Sequence, residues 1–100
     1  MKIVKVTYTA KADYVEQNKA NIAKVMSELQ EINNPDIRYD AMLGPDGLSF
    51  MHLAFFKTDA AHQVLNDLEA FKYFQQQLKA NGLDTPPKQE LLTLVGSSYK

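Results

Sequence analysis

The segment from Ile37 to Lys57 reads IRYDAMLGPDGLSFMHLAFFK. Two apolar-rich runs, Ile37–Leu43 and Leu48–Lys57, flank Gly44-Pro45-Asp46-Gly47. Pro and Gly fix the backbone angles a tight turn requires, so this tetrapeptide predicts a hairpin and not a phosphate-binding loop. Placing Leu43 opposite Leu48 sets Tyr39 opposite His52 and Ala41 opposite Phe50. Residues paired across an antiparallel ladder share a face. One face then carries Ile37, Tyr39, Ala41, Leu43, Leu48, Phe50, His52, Ala54 and Phe56. The other carries Arg38, Asp40, Met42, Ser49, Met51, Leu53 and Phe55. The second strand is apolar on both faces, as in a strand covered on both sides. The pattern alone does not say which face meets the helices.

Outward from the hairpin, Lys2–Thr9 reads as a strand that is mixed on both faces, which suits a central position. Asp13–Asn33 reads as a helix, with Asp13 and Glu16 spaced as a capping box. Val15, Ile22, Val25, Met26, Leu29 and Ile32 form its apolar stripe. Pro35 disfavours helix at the residue before it. Ala60–Asn81 carries a second helical stripe with a kink expected near Asn66-Asp67, and Gly82 suits its end. Pro86-Pro87 lead stiffly into a last strand, Gln89–Val95. The order βαββαβ fits an α+β, ferredoxin-like fold: a four-stranded antiparallel sheet with helices on one face.

One hundred residues make one domain, 1–100. The hydrophobic content of 45% is high for a sheet with a single covered face, so a homodimer is expected to cover the other. The net charge is −1 and the basic residues are scattered; Lys11, Lys19 and Lys24 read as solvated surface. No nucleic-acid partner is expected. Cysteine is absent, which excludes disulfides and thiolate metal sites. No run approaches a membrane span, and the first residues alternate like a strand without a signal-peptide core. A cytoplasmic location and no membrane partner are expected.

His52 is the leading candidate for chemistry. It lies in an apolar strand beside Tyr39, and a His near neutral pKa can act as base or donor. The competing reading is a buried pair that satisfies its own hydrogen bonds. His62 follows the second helix cap, either at a pocket mouth or as a solvated first-turn residue. Phe71, Tyr73 and Phe74 suit an aromatic pocket wall or plain core packing, and Tyr8 is similar. Asn66 offers an amide to a cavity or a local cap. The two histidines lie on different elements and no carboxylate has ligand spacing, so no metal site is expected.

Three stretches resemble the antibiotic biosynthesis monooxygenase family of the dimeric α/β-barrel superfamily. They are Asp36-Ile37-Arg38-Tyr39, then Leu53 through Asp59, then Leu65 to Phe71 with Phe74. Tyr39, Phe71 and Phe74 match the family pattern. Its frequent His, Ser and strand Glu are Leu65, Leu68 and Ala54 here. The resemblance implies a dimeric barrel and a cofactor-independent monooxygenase acting with dioxygen on a small quinol or phenol. Tyr39 and His52 would be catalytic, with Tyr8, His62, Asn66, Phe71 and Phe74 binding the substrate. Loss of the family's polar positions implies the alternative, a non-catalytic dimeric domain that binds a small molecule or serves in stress. Some relatives degrade haem, using a first-strand Asn, a Trp and a His one turn after the Phe. This chain has Val6 or Thr7, no Trp, and Gln75 at those places, so haem binding is not expected.

Overall fold

A computed structural model describes residues 1–99. The elements are β1 (Lys2–Thr9), α1 (Val15–Ile32), β2 (Ile37–Leu43), β3 (Ser49–Phe56), α2 (Asp59–Asp67), α3 (Glu69–Gln77) and β4 (Lys88–Leu92). A 3-10 turn at Ala12–Tyr14 precedes α1, and a π-helical turn at Leu78–Gly82 follows α3. The four strands form one antiparallel sheet in the order β2-β3-β1-β4. This is the ferredoxin-like α+β arrangement expected from the sequence, with β1 and β3 central.

Local chemistry accounts for most boundaries. Thr58 accepts a hydrogen bond from Ala61 N at 3.0 Å and starts α2. Leu68 is extended (φ −65°, ψ 128°) and separates α2 from α3, one residue after the expected kink. Asn33 ends α1 in the left-handed conformation (φ 51°), which Asn tolerates better than most side chains.

Four details differ from the sequence reading. The Asp13–Glu16 capping box does not form, because Asp13 lies inside the 3-10 turn and no side chain caps α1. The last strand ends at Leu92, and Val95 is 99% exposed. The helix expected over Ala60–Asn81 is three pieces, the last of them π-helical. The hairpin register is shifted by two residues: Leu43 pairs with Phe50, Ala41 with His52 and Tyr39 with Ala54. The turn is longer than expected because Asp46 draws the flank that follows it into the turn. Its carboxylate accepts hydrogen bonds from the Leu48 and Ser49 amides and from the Ser49 hydroxyl. Gly44 N then bonds Ser49 O at 2.7 Å and closes the loop one step later. Side chains alternate with a period of two, so a two-residue shift leaves every residue on its expected face.

The core settles which face the helices cover. Val4, Tyr8, Phe50, His52, Ala54 and Phe56 are buried on the sheet, with Val25, Leu65, Phe71, Phe74 and Leu78 opposing them from the helical layer. Tyr39 and His52 therefore point toward the helices. The opposite face carries half-buried Met51, Leu53 and Phe55. Among the described residues no helix is long and apolar enough to cross a membrane.

Candidate active site

Between the helix-facing side of the sheet and α3 lies a cavity of about 700 Å³. Phe71, Phe74 and Leu78 form its helical wall, and Leu83, Pro86 and Pro87 form another side. Tyr8, Tyr39 and His52 provide its polar end; Gln75, Lys79, Asp84 and Gln89 also line it. The volume lies in the range of small-molecule sites. The wall formed by 83–87 is held to the end of β1. Leu83 bridges to Ala10, Asp84 N donates to Thr9 O at 2.8 Å, and Thr9 N donates to Thr85 Oγ1 at 3.1 Å.

The polar end is a buried hydrogen-bonded chain through four elements. Asn18 on α1 donates from Nδ2 to the Tyr8 hydroxyl at 2.8 Å. The Tyr8 hydroxyl lies 2.8 Å from His52 Nε2. The Tyr39 hydroxyl lies 2.7 Å from His52 Nδ1. Asn18 is 0% exposed, His52 4% and Tyr8 5%, so bulk water does not compete for these bonds. Aromatic packing fixes the rings. His52 stacks on Phe74 with centroids 5.3 Å apart, and Phe71 meets the edge of Tyr39 at 6.2 Å.

Burial determines the charge states. It pushes the His52 imidazolium down to about 4, so the ring is neutral at neutral pH. It pushes the Tyr8 and Tyr39 hydroxyls well above the ordinary tyrosine range; at Tyr8 the Asn18 hydrogen bond partly opposes the rise. Both ring nitrogens of His52 are engaged by tyrosine hydroxyls. The His near neutral pKa expected from the sequence is therefore not found, and neither ring nitrogen is left without a hydroxyl partner.

Five of the seven residues suspected from sequence meet at this cavity: Tyr8, Tyr39, His52, Phe71 and Phe74. His62 lies elsewhere, stacked on Phe56 at 4.3 Å with Lys2 Nζ 3.2 Å from its Nδ1. Desolvation and the Lys2 charge lower its pKa, and Asp59 opposes them. Asn66 is exposed on α2 and does not line the cavity. Asn18 escaped the sequence reading. Its signal was positional: Tyr14, Asn18, Asn21 and Val25 follow the helical spacing of a buried stripe, and two members are amides. Asn21 holds a separate chain, donating to the Tyr14 hydroxyl at 3.2 Å and accepting from Gln17 at 2.9 Å. Among the described residues no group of three His, Cys, Asp or Glu is placed to hold a metal.

Comparison with solved structures identifies the architecture. An antibiotic biosynthesis monooxygenase superposes with a TM-score of 0.79 over 96% of this chain and 100% of its own, at 14% identity. The fold is that of the antibiotic biosynthesis monooxygenases. Rv0793 from Mycobacterium tuberculosis shares this monooxygenase fold with a TM-score of 0.79 at 13% identity, covering 97% of each chain. A variant of SnoaB, a cofactor-independent oxygenase from Streptomyces nogalater, does so with a TM-score of 0.71 at 14% identity, covering 99% of this chain and 98% of its own. No protein-family model matches the sequence, and no curated protein does.

Proposed function

We propose that this chain is a cofactor-independent monooxygenase that oxidises a small quinol or phenol with dioxygen, acting as a cytoplasmic homodimer. The observation that carries the reading is the cavity itself: aromatic and aliphatic walls around a buried Tyr8–His52–Tyr39 end. The shared fold with SnoaB, named a cofactor-independent oxygenase, supports it. The chemistry asks little of the protein. One atom of dioxygen ends as a carbonyl on a ring carbon. The other leaves as water with the hydrogen of that carbon and the phenolic hydrogen. The substrate supplies the electrons, so the protein must orient the ring, exclude water and hold the phenolic oxygen. Phe71 and Phe74 suit the first task, and Tyr39, held by His52, suits the last.

A homodimer fits the sheet face opposite the helices. Met51, Leu53 and Phe55 lie there half-buried, Met42 is 42% exposed and Leu92 41%. A second copy would remove this apolar surface from water.

Oxygen uptake with a panel of hydroquinones tests the activity. Uptake with at least one member is expected, with His52→Ala lowering it at least roughly 100-fold, the scale of a lost acid–base or oxyanion group. No uptake across the panel, or full turnover by His52→Ala, would refute the reading. One observation favours the second reading, a non-catalytic domain that binds a small aromatic molecule: His52 is neutral and has both nitrogens engaged. Binding of hydroquinones without oxygen uptake would establish that role instead.

A further inference from the structure

The hydrogen-bonded chain Asn18–Tyr8–His52–Tyr39 has a direction, and the direction selects the ligand. Tyr8 is buried and has two polar partners among the described residues, Asn18 and His52. Its oxygen accepts from the Asn18 amide, so its one hydrogen goes to His52 Nε2. A neutral imidazole carries a single hydrogen. With Nε2 accepting, that hydrogen sits on Nδ1 and is donated to the Tyr39 oxygen 2.7 Å away. The Tyr39 hydrogen then has no partner among the described residues, and Tyr39 borders the cavity.

The reverse direction costs more. It requires the Asn18 carbonyl to face Tyr8, leaving both amide hydrogens without an acceptor at a position that is 0% exposed. In the arrangement present, Asn18 Oδ1 is the buried side-chain atom without a partner. A buried carbonyl oxygen without a donor is better tolerated than a buried amide group with no acceptor. A third arrangement, with Tyr8 accepting from both neighbours, leaves the Tyr8 hydrogen without a protein partner at a position that is 5% exposed, whereas Tyr39 is half-buried.

We propose that the cavity binds an aromatic molecule in its ionised phenol form, with the phenolate oxygen accepting a hydrogen bond from Tyr39. Asn18, Tyr8 and His52 are positioning residues: they occupy the Tyr39 oxygen with the His52 hydrogen and leave the Tyr39 hydrogen as the group it offers to the cavity. A hydrogen bond to a charged oxygen is roughly twice as strong as one to a neutral oxygen. The same donor would therefore hold a ring carbonyl more weakly. Lys79 and Asp84, which also line the cavity, bring one charge of each sign. This inference rests on the cavity being the binding site and not on oxygen chemistry, so its tests do not use turnover.

The probe is 4-nitrophenol, whose visible absorbance reports its ionisation while bound. The comparison is between the wild-type protein and Tyr39→Phe, which keeps the ring and removes only the hydroxyl. The bound probe should ionise at least about one pH unit lower in the wild type, a roughly tenfold preference for the ionised form. Equal midpoints, or a lower midpoint in Tyr39→Phe, would overturn the proposal, because a Tyr39 that accepts a proton favours the neutral phenol. Failure of the probe to bind at millimolar concentration would overturn the ligand assignment. The direction is also read without ligand or variant. In a nitrogen-15 NMR spectrum of labelled wild-type protein, His52 should carry its hydrogen on Nδ1. A hydrogen on Nε2 would overturn the proposal even if Tyr39→Phe failed to fold. Loss of oxygen uptake alone would leave both results standing and would refute only the monooxygenase reading.

Discussion

The neutrality of His52 makes a quantitative prediction about acid stability. An unfolded chain returns this residue to its ordinary value of 6.5, whereas in the fold burial holds it at about 4. Between those values the unfolded chain binds the proton and the folded protein does not. Stability therefore rises with pH across this window. The contribution is fully present above about pH 6.5 and is lost as pH falls toward 4. Each pKa unit corresponds to about 1.4 kcal/mol, so the loss approaches roughly 3 kcal/mol. That is a large share of the roughly 5–15 kcal/mol typical of a domain. The groups facing the ring are Tyr8 from β1, Tyr39 from β2 and Phe74 from α3, with Asn18 reaching it through Tyr8. None of these carries a charge near neutral pH. Lys79 and Asp84 line the same cavity, one of each sign. The assay is urea unfolding of the wild type and of His52→Gln at half-unit steps from pH 8 to 4. Carboxylates and His62 titrate in both proteins, so the difference between the two curves isolates His52. The wild type should lose about 1.4 kcal/mol per pH unit more than the variant between roughly pH 6 and 4. Parallel curves, or an NMR titration of His52 with a midpoint near 6.5, would refute the argument.

Three further outcomes are expected. Phe55→Asp or Leu53→Asp should abolish the homodimer or the fold, since both side chains lie on the apolar sheet face; light scattering at micromolar concentration reads this, and a monomeric wild type would remove the idea. Gly82→Ala should destabilise by about 1–3 kcal/mol, because its Cβ would overlap the Tyr14 ring; an unchanged melting temperature would show that this packing is loose. Haem titration should give no stoichiometric complex, and a one-to-one Soret shift lost on changing His52 or His62 would contradict this.

The order of elements was legible in the sequence because each signal is local. Apolar-rich runs in Lys2–Thr9 and Leu48–Lys57, helical spacing in Asp13–Asn33, and turn residues at Gly44–Gly47 act over a few neighbouring residues. The pairing of Tyr39 and His52 on one face was equally legible, because face depends only on parity, and parity survived the two-residue shift in register. The shift itself was not, since it arises from the three hydrogen bonds that Asp46 accepts within the turn.

Tertiary structure alone decided which face the helices cover and which of the suspected residues meet. A strand apolar on both sides gives no local preference, and the choice fell to the layer that could bury Phe50, His52 and Phe56 against α1, α2 and α3. It also placed Asn18 against Tyr8, a contact between a helix and a strand ten residues apart. It pinned Leu83–Thr85 to Thr9 and Ala10 and so made a wall from the segment that leads into the last strand. Composition and periodicity say which side chains seek burial. Only the packed layers say what each buried polar atom finds there, and at this cavity burial keeps His52 neutral and its two nitrogens meet Tyr8 and Tyr39.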